Sequence, residues 1–258
     1  MRFAFSTLGV PGLPIPEVVA LASSTGYQGV ELRAHPEEPV HPGLGRRERA
    51  AVAEEFERAG VEILTVAGYA RVASADADEE RVRQELEELV RLAGDLGASF
   101  IRVFPGGGDR DAADADATAA RRLARAAERA ADVGVRILLE THDSHRTGAD
   151  AARVLGLVGH PRAGALWDVM HTWLGGEDPV TTYAALGPYL GYVQVKDIAS
   201  ARDTTPLALG AGVLPLGECL ALLDDTSWVC WEYEKRWYRQ AEELPELLAA
   251  GREYLGSL

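Results

Sequence analysis

Four oxygen-bearing side chains recur where short apolar runs end. Glu140 closes Ile137-Leu-Leu-Glu140, ahead of Thr141, His142 and Asp143, and Asp168 closes Ala165-Leu-Trp-Asp168, ahead of Val169, Met170 and His171. Gln194 lies in Tyr192-Val-Gln194-Val-Lys196-Asp197, and Glu232 in Trp228-Val-Cys-Trp-Glu232-Tyr-Glu234. If these runs are strands, residues two apart share a face. Glu140 then faces with Leu138 and His142, Glu232 with Cys230 and Glu234, and Gln194 with Lys196, while Val193 and Val195 turn the other way. On neighbouring strands the four would converge on one point. Three carboxylates that close repel one another unless a cation or protons compensate them. A divalent metal meets that need, and all-oxygen ligation favours Mn²⁺ or Mg²⁺ over a structural Zn²⁺. A single glutamate at a strand end is more often a solvated, loop-facing charge, and a single histidine at position 171 more often structural. The argument for a shared site is the joint occurrence of four such residues in order at matching depth.

The elements that must position them are legible in the hydrophobic period. Short apolar, β-branched or aromatic runs occur near 3–8, 29–34, 62–67, 100–105, 136–141, 163–168, 192–197 and 228–233. Helix-like stretches near 15–25, 46–59, 78–96, 117–133, 148–158, 178–190, 214–225 and 242–255 alternate with them. In the third helix Val82, Leu86, Leu89, Val90 and Ala93 recur at spacings of three and four, the stripe of an amphipathic helix. Gly26, Gly60, Gly97 and Gly134 each follow a helix and precede a strand. Strands alternating with helices imply parallel pairing, and eight units in 258 residues predict one (β/α)8 TIM barrel over residues 1–258 rather than an open doubly wound sheet. No G-x-G-x-x-G follows the first strand. Chemistry in such a barrel gathers at the C-terminal strand ends, where the four residues lie.

Composition narrows the class. Hydrophobic residues at 47% and charged residues at 26% are ordinary for a globular protein. Lys+Arg of 26 against Asp+Glu of 40 gives a net charge of −14, a field that opposes nucleic acid or an anionic membrane as partner. No apolar run approaches the length needed to span a bilayer, and the first residues lack the pattern of a secretory signal. With only Cys219 and Cys230, a disulfide framework is not expected and a cytoplasmic location is.

The chain resembles the sugar phosphate isomerase/epimerase family of xylose isomerase-like TIM barrels. The resemblance rests on Gly29-Val-Glu-Leu-Arg33, Leu139-Glu-Thr-His142, Asp168-Val-Met-His171, Gln194-Val-Lys-Asp197 and Trp231-Glu-Tyr-Glu234, and it covers nearly the whole length. It implies that Glu140, Asp168, Gln194 and Glu232 bind a divalent metal, Mn²⁺, Mg²⁺ or Co²⁺, and that His171 contacts substrate oxygen. Many members have histidine at the position of Gln194; hydroxypyruvate isomerases look similar in using glutamine, whose amide oxygen can ligate. Ketose 3-epimerases place a second glutamate six residues beyond the fifth-strand ligand, where this chain has Arg146. DNA-repair endonucleases of the same class need histidine-rich metal sites and a basic groove, a poor match to six histidines and this charge. A homodimer is implied at family level only.

The implied reaction is removal of a proton next to a carbonyl in a small keto- or hydroxy-sugar, through an ene-diolate, with Glu140 and Glu232 as the acid–base pair. Return of the proton gives isomerisation or epimerisation, the leading expectation. Loss of a β-hydroxyl gives an inosose-dehydratase-like lyase, and a sugar-binding barrel without turnover is the third alternative. Lys196, one of two lysines, either binds substrate or neutralises a ligand carboxylate. Glu31, Arg33 and Arg102 share inward parity and either pair with one another or let Arg33 reach substrate. His142 is a further substrate candidate, and Trp173 and Trp237 are candidate walls of a sugar pocket. His35, His41, His145 and His160 read as loop residues, and Gly210-Ala-Gly212 as a weak candidate for a phosphate-binding turn.

Overall fold

The computed structural model describes residues 1–258. Its barrel strands are β1 (Arg2–Ser6), β2 (Gly29–Arg33), β3 (Glu62–Arg71), β4 (Phe100–Phe104), β5 (Arg136–Glu140), β6 (Ala163–Asp168), β7 (Leu190–Val195) and β10 (Trp228–Trp231). A short antiparallel pair, β8 (Ile198–Ser200) with β9 (Asp203–Pro206), stands apart from them. The eight close in the order β1-β10-β7-β6-β5-β4-β3-β2, every pair parallel, so the chain is a (β/α)8 TIM barrel as the alternation predicts. The helices between and after them are α1 (Ile15–Thr25), α2 (Arg46–Ala59), α3 (Glu79–Leu96), α4 (Ala112–Asp132), α5 (Gly148–Val158), α6 (Val169–Leu174), α7 (Pro179–Leu186), α8 (Leu216–Leu220) and α9 (Leu244–Ser257).

Local chemistry explains where the helices start and stop. Asp78 caps α3 by accepting from Arg81 N at 2.8 Å, satisfying a donor that the helix start leaves open. Gly97 ends α3 at φ 70°, a conformation that costs an L side chain energy. The stripe Val82, Leu86, Leu89, Val90 and Ala93 is buried, as its spacing predicts.

Strand parity divides the core in two. Val193 and Val195 join the larger apolar layer between barrel and helices. Ala4, Leu64, Leu138, Leu166, Tyr192, Trp228 and Cys230 form a small apolar cluster inside the barrel. In β5, β7 and β10 the next inward residue above that cluster is Glu140, Gln194 or Glu232, so the barrel interior turns from apolar to polar toward the C-terminal strand ends.

Several elements differ from the sequence expectation. The predicted helix 178–190 stops at Leu186 and tightens into the 3-10 turn Gly187–Tyr189, because Pro188 has no N–H to continue the ladder. The predicted helix 214–225 shrinks to α8. Two elements went unpredicted: the β8–β9 pair, and α6, which starts directly at the end of β6.

Candidate metal centre and active site

The four residues singled out by spacing lie together at the upper end of the barrel, buried to 4% exposure or less. Register sets their depth, with Asp168 opposite Gln194 and Gln194 opposite Cys230, two residues before Glu232. Asp168 also caps α6, its Oδ1 accepting from Met170 N at 2.8 Å and His171 N at 3.2 Å. That fixes the carboxylate and leaves Oδ2 for the site. Oδ2 lies 2.9 Å from Lys196 Nζ, out of hydrogen-bonding alignment. Glu140 Oε2 lies 3.1 Å from Arg102 Nε, likewise unaligned. Gln194 Nε2 donates to Glu31 and Glu232, and Gln194 Oε1 has no partner. Gln194 thus carries a buried oxygen with no partner, which ordinarily demands an explanation, while the Asp168 and Glu140 oxygens each face a cation. A divalent cation held by Glu140, Asp168, Gln194 and Glu232 fits this donor set.

Lys196 compensates the carboxylates. Its ammonium contacts Asp168, Glu232 and Glu234, the last at 2.8 Å. Burial alone would lower its pKa, but these three carboxylates overcome that and hold it well above the usual lysine range. Burial acts to raise the Asp168 carboxyl too, yet Lys196 and His171 bring it below its ordinary value. Glu140 goes the other way. Burial lifts it well above the carboxylate range, Arg102 opposes this, and Glu232 and Asp168 add to it. Burial and the neighbouring Glu232 also raise Glu31, against Arg102 and hydrogen bonds from Tyr192 and Ser6. Burial brings His171 down to about 4, so its imidazole is neutral at ordinary pH.

A xylose isomerase-like TIM barrel family model matches residues 19–258. The chain belongs to that family. Among its relatives, a 3-dehydroshikimate dehydratase of Bacillus anthracis is 28% identical over 190 residues, 72% of this chain and 67% of the relative. A fructoselysine 3-epimerase of Escherichia coli O157:H7 is 23% identical over 247 residues, 88% of this chain and 87% of the relative. Of solved structures, the IolI protein with a bound zinc atom superposes with a TM-score of 0.82 at 17% identity, covering 97% of this chain and 95% of that one. Its relatives in the family are enzymes, sugar epimerases and a dehydratase among them.

In this family member a cavity of about 330 Å³ opens over Glu140 and Glu232, walled by Tyr69, Phe104 and Trp237 and by Arg71, His142 and His171. The His142 and His171 rings lie 4.1 Å apart, and His142 packs against Phe104 at 4.5 Å with the two rings tilted by 50°. Nitrogen atoms of both and a carboxylate oxygen of Glu140 fall within 4.8 Å of one another, a second donor set sharing Glu140. Arg102 lies over the Phe104 ring at 4.0 Å and reaches Glu140 and, at 4.0 Å, Glu232. A larger groove of about 470 Å³ between α3 and α4 is lined by arginines and acids and lies away from the strand ends.

Several candidates sit elsewhere. Arg33 does not line the cavity. Its Nη1 pairs with Glu38 and its Nε donates to Tyr69, so the expected pairing among Glu31, Arg33 and Arg102 does not form. Trp173 packs on the outer core, and Trp237 supplies the indole at the mouth. His145 is no loose loop residue. It is buried, bonded to Asp116 at 2.8 Å and Ser144 at 2.9 Å, and Ser144 and Asp143 accept from Gly107 and Gly106. This joins the loops after β4 and β5 beside His142. The Gly210 and Gly212 amides donate to Asp197, at 3.0 and 2.9 Å, which withdraws them from any phosphate. Asp197 went unassigned in the sequence, although a carboxylate two residues past β7 and a Gly-x-Gly turn were both visible.

Proposed function

We propose that this chain is a divalent-metal-dependent enzyme that removes a proton next to the carbonyl of a small polyhydroxylated keto compound. The observation that carries the proposal is the gathering of buried Glu140, Asp168, Gln194 and Glu232, with Gln194 Oε1 lacking any partner and with Glu140 and Glu232 lining an open cavity. When bound, Mn²⁺ or Mg²⁺ supplies Lewis-acid stabilisation of the negative charge that develops on the substrate oxygen, an effect of several kcal/mol. Glu140 and Glu232 take and return the proton, a contribution of about 10²–10⁴-fold. Arg102 contacts both carboxylates and holds them in place. The neutral His171 accepts a hydrogen bond from a substrate hydroxyl, and the aromatic wall of Tyr69, Phe104 and Trp237 keeps water from the reacting carbon.

Loss of a β-hydroxyl, a dehydratase reaction, is the outcome this cavity favours. Arg146, where ketose 3-epimerases carry a glutamate, is exposed and hydrogen-bonds the Asp143 carbonyl, so no carboxylate enters the cavity from that position. Arg71 lines the mouth without a carboxylate partner and suits an anionic substrate. The similarity to a 3-dehydroshikimate dehydratase points the same way. Isomerisation or epimerisation is the second reading. It is favoured by the two buried carboxylates, which come from β5 and β10 with two strands between them and so address different faces of a substrate.

The test begins with metal-stripped protein. Mn²⁺ at 100 times Kd should stabilise the wild type by about 2.7 kcal/mol, and Glu232→Gln should respond far less. The Mn²⁺-loaded enzyme is then given 3-dehydroshikimate, inososes and ketohexoses in D₂O. Water loss from the carboxylated ring ketone supports the dehydratase. Deuterium entering a ketose without water loss supports the epimerase. Mn²⁺ binding with neither outcome on any substrate would mean a barrel that binds but does not turn over.

A further inference from the structure

A glutamine ligand has a difficulty that a histidine ligand lacks. Its carboxamide has two ends of nearly equal shape, and only the oxygen can bind a metal. What sets the turn of Gln194 lies beneath it. Glu31 on β2, wholly buried, accepts from Gln194 Nε2 with its two oxygens at 3.1 and 3.0 Å. Glu232 Oε1 accepts from the same nitrogen at 3.2 Å. Reversing the amide would set its oxygen against both carboxylates and forfeit every one of these bonds. Glu31 is itself held by the Tyr192 hydroxyl, which donates to Oε2. The result is a buried Gln194 Oε1 with no partner.

We infer that Glu31 is a positioning residue for the metal centre: it holds the Gln194 amide so that Oε1, and not Nε2, is the free donor. The inference rests on the metal dependence proposed above. Glu31 does not touch the substrate cavity; it acts through Gln194 and so keeps the donor set all oxygen. In the Glu31→Gln variant the facing group is an amide that accepts or donates equally well, and Gln194 loses its reason to stay turned.

The test is isothermal titration of metal-stripped protein with Mn²⁺ for wild type, Glu31→Gln, Gln194→Ala and the double variant. Loss of a group that orients a ligand typically weakens metal binding by about 10–100-fold, and that is the effect expected for Glu31→Gln. In the Gln194→Ala background the same substitution should change Kd by roughly two-fold or less, because the residue it acts through is gone. An unchanged Kd in Glu31→Gln overturns the inference, and so does an equal loss in both backgrounds. A wild type that binds no Mn²⁺ overturns the metal dependence itself, which separates the two failures.

A measurement on the wild type guards against a Glu31 variant that does not fold. The chain has four glutamines, Gln28, Gln84, Gln194 and Gln240, so selective ¹⁵N labelling gives four side-chain NH₂ pairs. The Gln194 pair should stay protected from solvent exchange with and without Mg²⁺. An unprotected pair overturns the inference.

Discussion

Replacing Lys196 with methionine keeps most of its volume and removes its charge. The ammonium is buried at 2% exposure, 2.9 Å from Asp168 Oδ2 and 2.8 Å from Glu234 Oε1, and it contacts Glu232 as well. Removing one partner of a buried ion pair costs about 3–5 kcal/mol, because the other charge is left uncompensated. For a chain of this length that corresponds to a fall in melting temperature of roughly 6–10 °C, at ~2 °C per kcal/mol. The pH dependence gives a sharper signature. Lys196 is a main reason the Asp168 carboxyl lies below its ordinary pKa, so without it burial drives the folded-state pKa up. A folded pKa above the unfolded one means that the native state binds more protons, and stability then rises as pH falls. The gap between wild type and Lys196→Met should therefore be widest near pH 8 and narrow toward pH 5. The assay is urea denaturation of metal-stripped protein in EDTA at both pH values. A gap below about 1 kcal/mol at pH 8, against the ~3–5 expected, refutes the reasoning. A gap that widens on acidification refutes it equally.

Two further outcomes follow from the same geometry. Burial lifts the Glu140 carboxyl well above the ordinary range, and a ligand must be deprotonated to bind a cation. Mn²⁺ binding should therefore release protons, and its affinity should rise with pH up to the Glu140 pKa. Titrations in two buffers of different ionisation enthalpy count those protons across a pH series; an affinity that falls as pH rises would contradict the shift. At Gly212 an added Cβ would collide with Asp197 Oδ1 and the Ile198 carbonyl, so Gly212→Ala should destabilise by about 1–3 kcal/mol. Gly217→Ala is the control, since its Cβ would meet nothing closer than Leu258 at 3.6 Å. Equal denaturation midpoints for the two variants would show that Asp197 does not organise the loop.

The barrel and its polar upper layer were legible because both rest on period two. Leu138 and Glu140, or Tyr192, Gln194 and Lys196, announce one face of a strand whatever the partner strands are. Side chains whose partners lie in loops were not legible. Arg33 has the inward parity of Glu31, yet its guanidinium pairs with Glu38, beyond the strand on the loop before α2. Trp173 and Trp237 both lie past strand ends, and the sequence alone gives no reason to prefer either. Asp168 starts α6 as its N-cap, and the helix carries Trp173 against the outer core. Arg236, bonded to Glu37, draws the loop after β10 back over the mouth and brings Trp237 with it. The inward parity of Glu31 was legible but its partner was not, for a related reason: that partner is whichever residue stands opposite it across the barrel, and spacing along one strand does not report that.

The site gathers more negative charge than the chain neutralises on its own. Glu31, Glu140, Asp168, Glu232 and Glu234 face two buried cations, Arg102 and Lys196. Below them lies the apolar cluster of Ala4, Leu64, Leu138, Leu166 and Cys230, which offers no solvation, and the Tyr192 hydroxyl beside it is committed to Glu31. Uncompensated charge over such a floor is expensive, and the raised carboxyl of Glu140 is one answer to it. The divalent cation proposed for the site would be the other, and it would make that proton unnecessary. The two answers are not equivalent for chemistry. A protonated Glu140 cannot take a proton from carbon, whereas a metal-bound carboxylate leaves an acceptor at the same place. On the proposed function, the apolar floor would link binding to catalysis: by making ionised Glu140 costly in the absence of a cation, it would tie the reactive form of the base to the occupied site.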